Sequence, residues 1–325
     1  MKQTTNRVLH ITAEKCGSQW VRDVLTDPQI AAYSRFSRSG VTIDSSNLHE
    51  VEVPERTVSG PVYGLRHDHW ESWKRPGDRA VVVLRDPRDI LISLLFSWLY
   101  SHDASEQINE TRRNLHSLQG TDARIHWMLH AIGTIVSGFG SWARRADEDA
   151  LVLRYEALVA DQHGEFGKIM SWLGWEIPAD ALHATVDRLS FETRSGRKSG
   201  QEDKFSHYRR GVAGDWRNHF TRAHGQQWEQ FHPGFLRELG YETSDDWWEA
   251  LPESHADPSD APDQAAPAID PKDELIATLE KKLMSLQQNL ARKEVALQEH
   301  LAEVARLKQA KSPFKRFLRR LRGRG

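Results

Sequence analysis

Residues 8–20 read VLHITAEKCGSQW and connect an apolar run to a helix-like segment through a short polar loop. Residues 8–12 are mostly apolar and β-branched, a pattern that is typical of a short buried strand. The loop contains Gly17, and apolar residues then recur at helical spacing until Pro28 ends the pattern. The chain therefore begins with a strand, a loop and a helix.

The same alternation continues along the chain. Strand-like runs lie at residues 61–65, 80–84 and 151–155, and helical patterns lie at residues 90–100, 123–145 and 164–173. Strands that alternate with helices predict a parallel sheet with helices on both faces. We therefore predict an α/β fold with a P-loop-like parallel sheet flanked by helices, in one globular domain over residues 1–250.

The C-terminal part of the sequence has a different character. Residues 251–272 are rich in Pro, Ala, Asp and Ser, which predicts a disordered linker. Over residues 273–310, apolar side chains follow steps of three and four, which predicts a coiled coil and a homo-oligomer, although a single exposed helix is the alternative. These side chains are Ile276, Leu279, Leu283, Leu286, Leu290, Leu297, Val304 and Leu307.

Residues 311–325 form a basic tail without an acidic residue. Phe314, Phe317, Leu318 and Leu321 lie at helical spacing among Lys and Arg, which is typical of an amphipathic helix on an anionic membrane. An acidic partner and a merely solvated tail are the alternatives. The tail is therefore a candidate for peripheral contact with the inner membrane surface.

Composition limits the class of protein. The 325 residues carry a formal net charge of −2, which gives no whole-chain argument for nucleic-acid binding. Cys16 is the one cysteine, so a disulfide framework is excluded. The N-terminus lacks the apolar region of a signal peptide, and no run approaches the ~20 apolar residues of a membrane span. We expect a cytoplasmic protein.

The loop after the first strand is a candidate anion site. The first N–H groups of a helix have no intrahelical partner and attract negative charge. Lys15 adds a positive charge, Gly17 allows close approach of the backbone, and Ser18 can donate a hydroxyl hydrogen bond. The sequence is not a Walker A motif, and an ordinary turn with a surface lysine is the alternative.

Two further segments carry charged residues suited to phosphate. Arg85 directly follows the apolar run 80–84, at the sheet edge where open α/β sheets bind ligands, and Ser93 lies eight residues later. Arg85 could instead pair with Asp86 or Asp89. The segment 208–221 reads YRRGVAGDWRNHFT and places Arg209 and Arg210 beside a glycine, as a phosphate clamp or as a plain basic loop.

Together, the three segments resemble the PAPS-dependent sulfotransferases in order and spacing. That family carries a PKSGTTW-type loop, an R-x-P-x-D…S segment and an RKGxxGDWKxxFT segment, and the resemblance covers residues 7–241. The present chain departs from the family in its first loop. Glu14 replaces the usual proline, Cys16 replaces a serine or threonine, and Gln19 replaces a threonine.

The resemblance implies a role for each matching residue. The 5′-phosphosulfate of the donor, 3′-phosphoadenylyl sulfate (PAPS), would lie among the loop residues Lys15, Cys16, Gly17, Ser18, Gln19 and Trp20. Its 3′-phosphate would be held by Arg85, Ser93, Arg209, Arg210 and Gly211. Trp20 and Phe191 would flank the adenine, and Tyr155 would hydrogen-bond near it.

The family's catalytic base is a histidine after a strand, upstream of the 3′-phosphate arginine. The matching segment here contains His67 and His69, of which we favour His67, while Asp68 is a weaker alternative. Transfer would proceed in line, with Lys15 stabilising charge on the sulfonate and on the bridging oxygen. No cluster of metal ligands is evident in the sequence, so we expect no metal requirement.

Other functions remain open at this level. A P-loop-type nucleotide kinase or NTPase would need Mg²⁺ and a Ser or Thr directly after the loop lysine, where this chain has Cys16. A non-catalytic nucleotide-binding coiled-coil scaffold would keep the clamp but lack a base. Residue types do not choose between a glycan, a lipid and a small molecule as the hydroxyl-bearing acceptor.

Overall fold

A computed structural model describes residues 5–44, 46–102, 105–143 and 147–255 of the chain. The described residues contain a parallel sheet of five strands in the order β2-β3-β1-β4-β5. Helices flank it, which confirms the predicted α/β fold. The strands are β1 (Arg7–Thr12), β2 (Ser37–Arg38), β3 (Thr57–Tyr63), β4 (Asp78–Leu84) and β5 (Ala150–Arg154).

Helices separate β1 from β2, β3 from β4 and β4 from β5, and helices and turns follow β5 in the described residues. They are α1 (Ser18–Leu25), α2 (Pro28–Ser34), α3 (His67–Trp73), α4 (Pro87–Phe96), α5 (Glu106–Ser117), α6 (Gly120–Val136), α7 (Phe139–Ala143), α8 (Tyr155–Ala160), α9 (Gln162–Leu173), α10 (Ala179–Arg188), α11 (Phe191–Ser195), α12 (Arg222–Phe231) and α13 (Phe235–Glu238). A π-helical turn (Ser97–Ser101) continues α4, and 3₁₀ turns lie at Asp215–Asn218 and Trp247–Ala250.

The register of the sheet brings the ends of its strands to one edge. Thr12 at the end of β1 lies opposite Tyr63 of β3 and Val83 of β4, and Leu84 of β4 lies opposite Arg154 of β5. The chain leaves β1 toward β3 on one side and reaches β4 and β5 on the other. The loops after β1 and β4 therefore diverge at a topological switch point, where open α/β sheets bind ligands.

Burial explains why these segments form a central sheet and a central helix. Every residue of β1 is buried, and so is all of β4 except its second residue, because helices cover both faces. Helix α4 is buried at every position except Ser93. Asp86 caps this helix by accepting a hydrogen bond from the Arg88 N–H, and Pro87 occupies its first position. The helix therefore begins three residues earlier than the apolar pattern predicts.

Arg88 and Asp89 attach the C-terminal part of the domain to α4. The Arg88 guanidinium lies 3.6 Å from the ring centroid of Trp216 and 4.6 Å from that of Trp247. The Asp89 carboxylate accepts hydrogen bonds from the backbone N–H groups of Gly214 and Trp216, at 2.6 and 3.0 Å. These contacts fix the segment 209–221 against the first turn of α4, beside Arg85.

Element boundaries differ from the sequence prediction in two places that matter below. The predicted helix 123–145 begins at Gly120 and stops at Val136, and α7 follows as a separate helix. The predicted strand 61–65 corresponds to β3, which begins at Thr57 and ends at Tyr63. Helix α3 then begins at His67.

Residues 256–325 lie outside the described residues. They contain the predicted coiled coil 273–310, the basic tail 311–325 and most of the predicted linker 251–272, which stay predictions. None of the helices in the described part of the chain combines the length and the apolar character that a membrane span requires.

His10 makes the stability of the fold dependent on pH. It is fully buried in β1, with Nδ1 3.3 Å from the carbonyl oxygen of Val81, and burial lowers its pKa to about 4. The unfolded chain therefore takes up a proton near pH 6.5 while the folded chain does not, so stability falls as the pH decreases from 6.5 to 4. We expect His10 to lower the free energy of unfolding by about 2 kcal/mol between roughly pH 7.5 and pH 5.

Urea titrations of the wild type and of His10→Gln at both pH values measure this contribution. Burial also lowers the pKa of His224 to about 4, so the variant should keep part of the pH dependence. An unchanged difference between the two pH values in His10→Gln would contradict the assignment.

Candidate active site

A cavity of about 340 Å³ opens at the carboxyl edge of the sheet. It lies between the loop after β1, the segment after β4, the beginning of α8 and the loop 207–212. The lining residues are Glu14, Lys15, Gly17, Ser18, Gln19, Trp20, Tyr63, Arg85, Ser93, His102, Tyr155, Phe191, His207, Tyr208, Arg209, Arg210, Gly211 and Val212. A second cavity of about 500 Å³ adjoins it and shares Gly17, Trp20, Tyr155, Phe191, Tyr208 and Gly211.

The loop after β1 exposes the N-terminus of α1 to the cavity. Lys15 and Gly17 both adopt left-handed backbone conformations, with φ of 65° and 71°. Gly17 precedes the first helical residue, Ser18, and no side chain caps this end. A Cβ atom at Gly17 would lie 3.0 Å from the ring of Tyr155, which is tighter than ordinary contact, and the φ of +71° favours glycine. The free N–H groups of the first turn are therefore available to an anion.

Lys15 carries an unusually acidic ammonium group. Its pKa is lowered to about 8, mainly by burial and also by the positive charge of Arg85, while the negative charge of Glu14 acts in the opposite direction. The charges around Lys15 are thus not negative enough to hold the pKa of its ammonium group at the usual value. An anionic ligand would supply negative charge and raise the pKa of Lys15 again.

Arg85 joins the two sides of the cavity. Its Nη1 donates to the carbonyl oxygen of Lys15 at 2.6 Å, and its Nη2 donates to that of Val212 at 3.2 Å. The guanidinium also stacks on the ring of Tyr155, 4.4 Å from the centroid. Its buried Nε has no hydrogen-bond partner among the described residues. A single side chain thus holds the β1 loop and the 209–212 segment in place and keeps one donor unused.

Arg209 and Arg210 are oriented by one carboxylate. Both guanidinium groups form ion pairs with Asp215, one with each carboxylate oxygen. Burial alone would raise the pKa of Asp215, but hydrogen bonds from His219 and Arg209 and the Arg209 charge outweigh it and hold that pKa well below its usual range. The carboxylate therefore stays charged and keeps both arginines at the wall of the cavity.

Gly211 lets the following turn approach an aromatic ring. Its φ is +66°, and a Cβ atom there would lie 2.6 Å from ring carbons of Phe191. The close packing of backbone and ring fixes Phe191 at the boundary between the two cavities. Trp20 stands at the same boundary, and its buried indole Nε1 has no hydrogen-bond partner within the described ranges.

The structure brings together every predicted nucleotide-contacting residue except Cys16. The Cys16 side chain is fully buried below the loop, where burial raises the pKa of its thiol to about 12. Its Sγ lies 3.6 Å from the carbonyl oxygen of Glu14. The thiol thus belongs to the core, and only the backbone of Cys16 could contact a ligand.

The predicted bases are not brought to this cavity. His67 is buried, with its Nε2 3.3 Å from Asp147 and its ring edge-on to Trp142, and its backbone N–H donates to Ser141. His69 is exposed on the same helix. Both histidines lie on α3, and neither is among the residues that line the cavity. The β3 residue that does line the cavity is Tyr63, whose Oη lies 3.2 Å from Ser18 Oγ.

Six lining residues were not predicted as site residues from the sequence, namely Glu14, Tyr63, His102, His207, Tyr208 and Val212. Tyr63 could have been found if the end of β3 had been placed at the right residue. His102 follows the π-helical turn after α4, and its Nδ1 lies 3.2 Å from Ser97 Oγ. His207 lies in the loop that carries Arg209. Neither histidine belongs to a local pattern that points to the cavity.

A first group of possible metal ligands, Asp122, His126 and His224, lies outside the cavity. The His224 Nδ1 accepts a hydrogen bond from the backbone N–H of Thr221 at 3.0 Å. The neutral ring must then carry its proton on Nε2, which lies 3.1 Å from Asp122. A protonated nitrogen cannot bind a metal, so this cluster serves as a hydrogen-bonded helix cap.

A second group, His67, Glu71 and Asp147, already contains a cation. The Lys74 ammonium lies 2.7 Å from the Glu71 carboxylate and 3.2 Å from that of Asp147. This ammonium group neutralises the carboxylate charge that would attract a metal ion. Neither cluster among the described residues therefore offers a metal centre to the cavity.

The comparisons with known proteins all find sulfotransferases. The model of the sulfotransferase domain matches residues 5–239. Mouse sulfotransferase 2A2 is 25% identical over 248 residues, which cover 69% of this chain and 81% of the relative. Human sulfotransferase 2A1 is 24% identical over 259 residues, covering 71% and 85%. A guinea pig 3-beta-hydroxysteroid sulfotransferase is 25% identical over 171 residues, covering 47% and 54%.

A solved structure shares the fold. The crystal structure of mouse sulfotransferase SULT7A1 complexed with PAP superimposes with a TM-score of 0.51 at 18% sequence identity. The match covers 72% of this chain and 86% of the mouse chain.

Proposed function

The chain belongs to the sulfotransferase family, and we propose that it transfers a sulfonate group from PAPS to an acceptor hydroxyl. The observation that carries the proposal is that two groups of cations and N–H donors line one cavity. Lys15 and the N-terminus of α1 form the first, and Arg85, Arg209 and Arg210 form the second. A nucleotide that is phosphorylated at both its 5′ and 3′ positions matches this arrangement.

The unused donors of the cavity support this assignment. The buried Nε atoms of Arg85 and Arg209 and the Nε1 of Trp20 have no hydrogen-bond partner among the described residues. Buried donors are normally paired, so these atoms are expected to find partners on a ligand. We assign the 3′-phosphate to Arg85, Ser93, Arg209, Arg210 and Gly211, the 5′-phosphosulfate to the residues from Lys15 to Trp20, and the adenine to Trp20, Phe191 and Tyr155.

Catalysis would rest on electrostatic stabilisation by groups that are already in place. Sulfonate transfer, like phosphoryl transfer, develops charge on the oxygens around the central atom and on the leaving oxygen. Lys15 and the N–H groups of α1 would stabilise that charge without reorganising. His67 and His69 stay the bases that the family resemblance predicts, although neither lines the cavity.

Two alternatives are less well supported by the geometry. A kinase or NTPase needs a hydroxyl after the loop lysine to hold Mg²⁺, whereas Cys16 is buried and burial keeps its thiol protonated. A non-catalytic scaffold would bind the nucleotide but not turn it over. The sequence patterns beyond residue 255 support two additions to the proposal, a homo-oligomer through residues 273–310 and a peripheral membrane contact through residues 311–325.

Thermal melting with PAP, the desulfonated product of PAPS, compared with ATP and Mg²⁺ tests the nucleotide. Selective stabilisation by PAP is expected. Labelled PAPS with a panel of hydroxyl acceptors, including a 3-beta-hydroxysteroid, a glycan, a lipid alcohol and a phenol, then tests transfer. Stabilisation by ATP and Mg²⁺ alone would favour the kinase, and PAP binding without transfer to any acceptor would favour the scaffold.

Gly211 provides a sharp test of where the nucleotide lies. Gly211→Ala should raise the Kd for PAP by about 10-fold or more, because the new methyl group displaces Phe191 from the cavity wall. The matched control is Gly196→Ala, where φ is +68° and nothing lies within 4 Å of the new Cβ. Both variants carry the same backbone strain, so calorimetric titration isolates the effect of the ring. Equal affinities in the two variants would place PAP elsewhere.

A further inference from the structure

Glu14 carries the only carboxylate among the described residues that line the cavity. The charged side chains around it are Lys15, Arg85, Arg209 and Arg210, as expected for a site that binds an anionic nucleotide. A carboxylate in such a site repels the donor and weakens its binding. Its presence therefore points to a use in the reaction other than donor binding.

The position of Glu14 places it at the sulfonate end of the cavity. It lies two residues after the end of β1 and directly before Lys15, and it is half-buried. Its negative charge raises the pKa of Lys15, so the carboxylate acts on the ammonium group at short range. Tyr63, opposite Thr12 at the end of β3, completes this end of the cavity through its hydrogen bond with Ser18.

We propose that Glu14 is the catalytic base that accepts the proton of the acceptor hydroxyl, an inference that rests on the proposed sulfonate transfer. The acceptor oxygen forms a bond to sulfur with its lone pair, while the bond between sulfur and the phosphate oxygen of the nucleotide breaks. The electron pair of the broken bond leaves with PAP. The acceptor proton passes to the Glu14 carboxylate, which later releases it to water.

Other groups of the cavity are less suited to this task. His102 lies nine residues after Ser93, past the end of α4, and its Nδ1 is engaged with Ser97. His207 lies two residues before Arg209, on the side of the arginine pair. Tyr63 reaches the sulfonate end, but a neutral phenol is a poor proton acceptor and serves better to orient the acceptor hydroxyl.

The variant Glu14→Gln keeps the shape of the side chain and removes the base. With an alcohol that the wild type sulfonates, we expect kcat to fall by about 100-fold or more. The Kd for PAP should stay unchanged or decrease, because a negative charge beside the donor has been removed. A residue with a merely structural role would not combine lost turnover with equal or tighter donor binding.

The acceptor provides an internal control. p-Nitrophenol is largely ionised above neutral pH and needs no base, so Glu14→Gln should transfer sulfonate to it at a rate within about 3-fold of the wild type. The second variant, Glu14→Pro, introduces the residue that the family usually carries here and should show the same contrast between the two acceptors. His67→Gln, which changes the base predicted from the sequence, separates the two candidates, because only the variant that lacks the true base should lose turnover of the alcohol.

Several results would overturn the inference. Near wild-type turnover of the alcohol by Glu14→Gln would do so, and so would an equal loss with p-nitrophenol. Loss of alcohol turnover in His67→Gln or His102→Gln, with PAP affinity and Glu14→Gln activity retained, would identify another base. A wild-type protein that neither binds PAP nor transfers sulfonate would instead refute the proposed function.

Discussion

Replacing Lys15 with methionine should lower kcat by about 1000-fold and raise the Kd for PAP by no more than about 10-fold. Methionine preserves the unbranched shape but removes the charge. The donor keeps its contacts with the arginines and with the N-terminus of α1, so binding of the ground state is largely retained. The transition state loses the cation beside the sulfonate, where charge develops, and this difference appears in kcat.

The pH dependence of PAP binding provides an independent readout of Lys15. Burial lowers the pKa of Lys15 to about 8, with a smaller contribution from Arg85, so the free protein loses this charge above about pH 8. An anion binds the protonated form better, so the wild-type Kd should rise above that pH. In Lys15→Met this rise should disappear.

The matched control for Lys15 is Lys168→Met. Lys168 is exposed and its ammonium pairs with Glu165, remote from the cavity. It should keep turnover and the alkaline rise of the Kd. Wild-type turnover in Lys15→Met, measured with saturating PAPS, would remove Lys15 from the mechanism.

Much of the fold follows from local sequence. The runs 8–12 and 80–84 are short, apolar and β-branched, and each is bounded by polar residues, so they read as central parallel strands and form β1 and β4. Because parallel strands end at one edge, residues that follow them must converge there. Lys15 and Arg85 meet for this reason, although 70 residues separate them in the chain.

The contribution of the end of β3 to the cavity could not be read in the same way. It depends on the residue at which β3 ends, and sequence patterns locate strand ends only to within a few residues. The prediction ends the strand at Leu65 and expects the histidines that follow it to reach the site. In the structure the strand ends at Tyr63, which lines the cavity, and the histidines lie on α3. The local pattern 66–69 gives no indication that a helix begins at His67.

Side-chain direction and long-range contacts also cannot be predicted from the sequence. Cys16 lies within a correctly predicted loop, yet packing beneath that loop buries its thiol. The pairing of Arg209 and Arg210 with Asp215 depends on a turn that is held by Asp89, more than 100 residues away. The sequence identifies the arginines as a clamp, and the tertiary structure supplies the carboxylate that orients them.

The second large effect is expected when lysine replaces Arg85, because lysine cannot take over the contacts of the guanidinium group. Arg85→Lys should raise the Kd for PAP by about 100-fold, although the positive charge is kept. The guanidinium donates to Lys15 and Val212 at the same time and still has Nε for a phosphate. An ammonium group is a single point charge, so it cannot bridge the two loops and bind the ligand together. Lost hydrogen bonds from a charged group cost about 1.5–3 kcal/mol each, which accounts for the expected factor.

Arg79→Lys is the control for Arg85, because it makes the same exchange on the strand that Arg85 directly follows. Arg79 lies near the start of β4, outside the cavity, and its Nη1 donates to the carbonyl oxygen of Glu148 and to Asp149 at 2.5 and 2.9 Å. Both variants lose a guanidinium that supports the fold, so their melting temperatures should fall by similar amounts. Only Arg85→Lys should lose PAP affinity. If the two variants bound PAP equally well, Arg85 would be a structural bridge between the loops and the 3′-phosphate would have to bind to Arg209 and Arg210 alone.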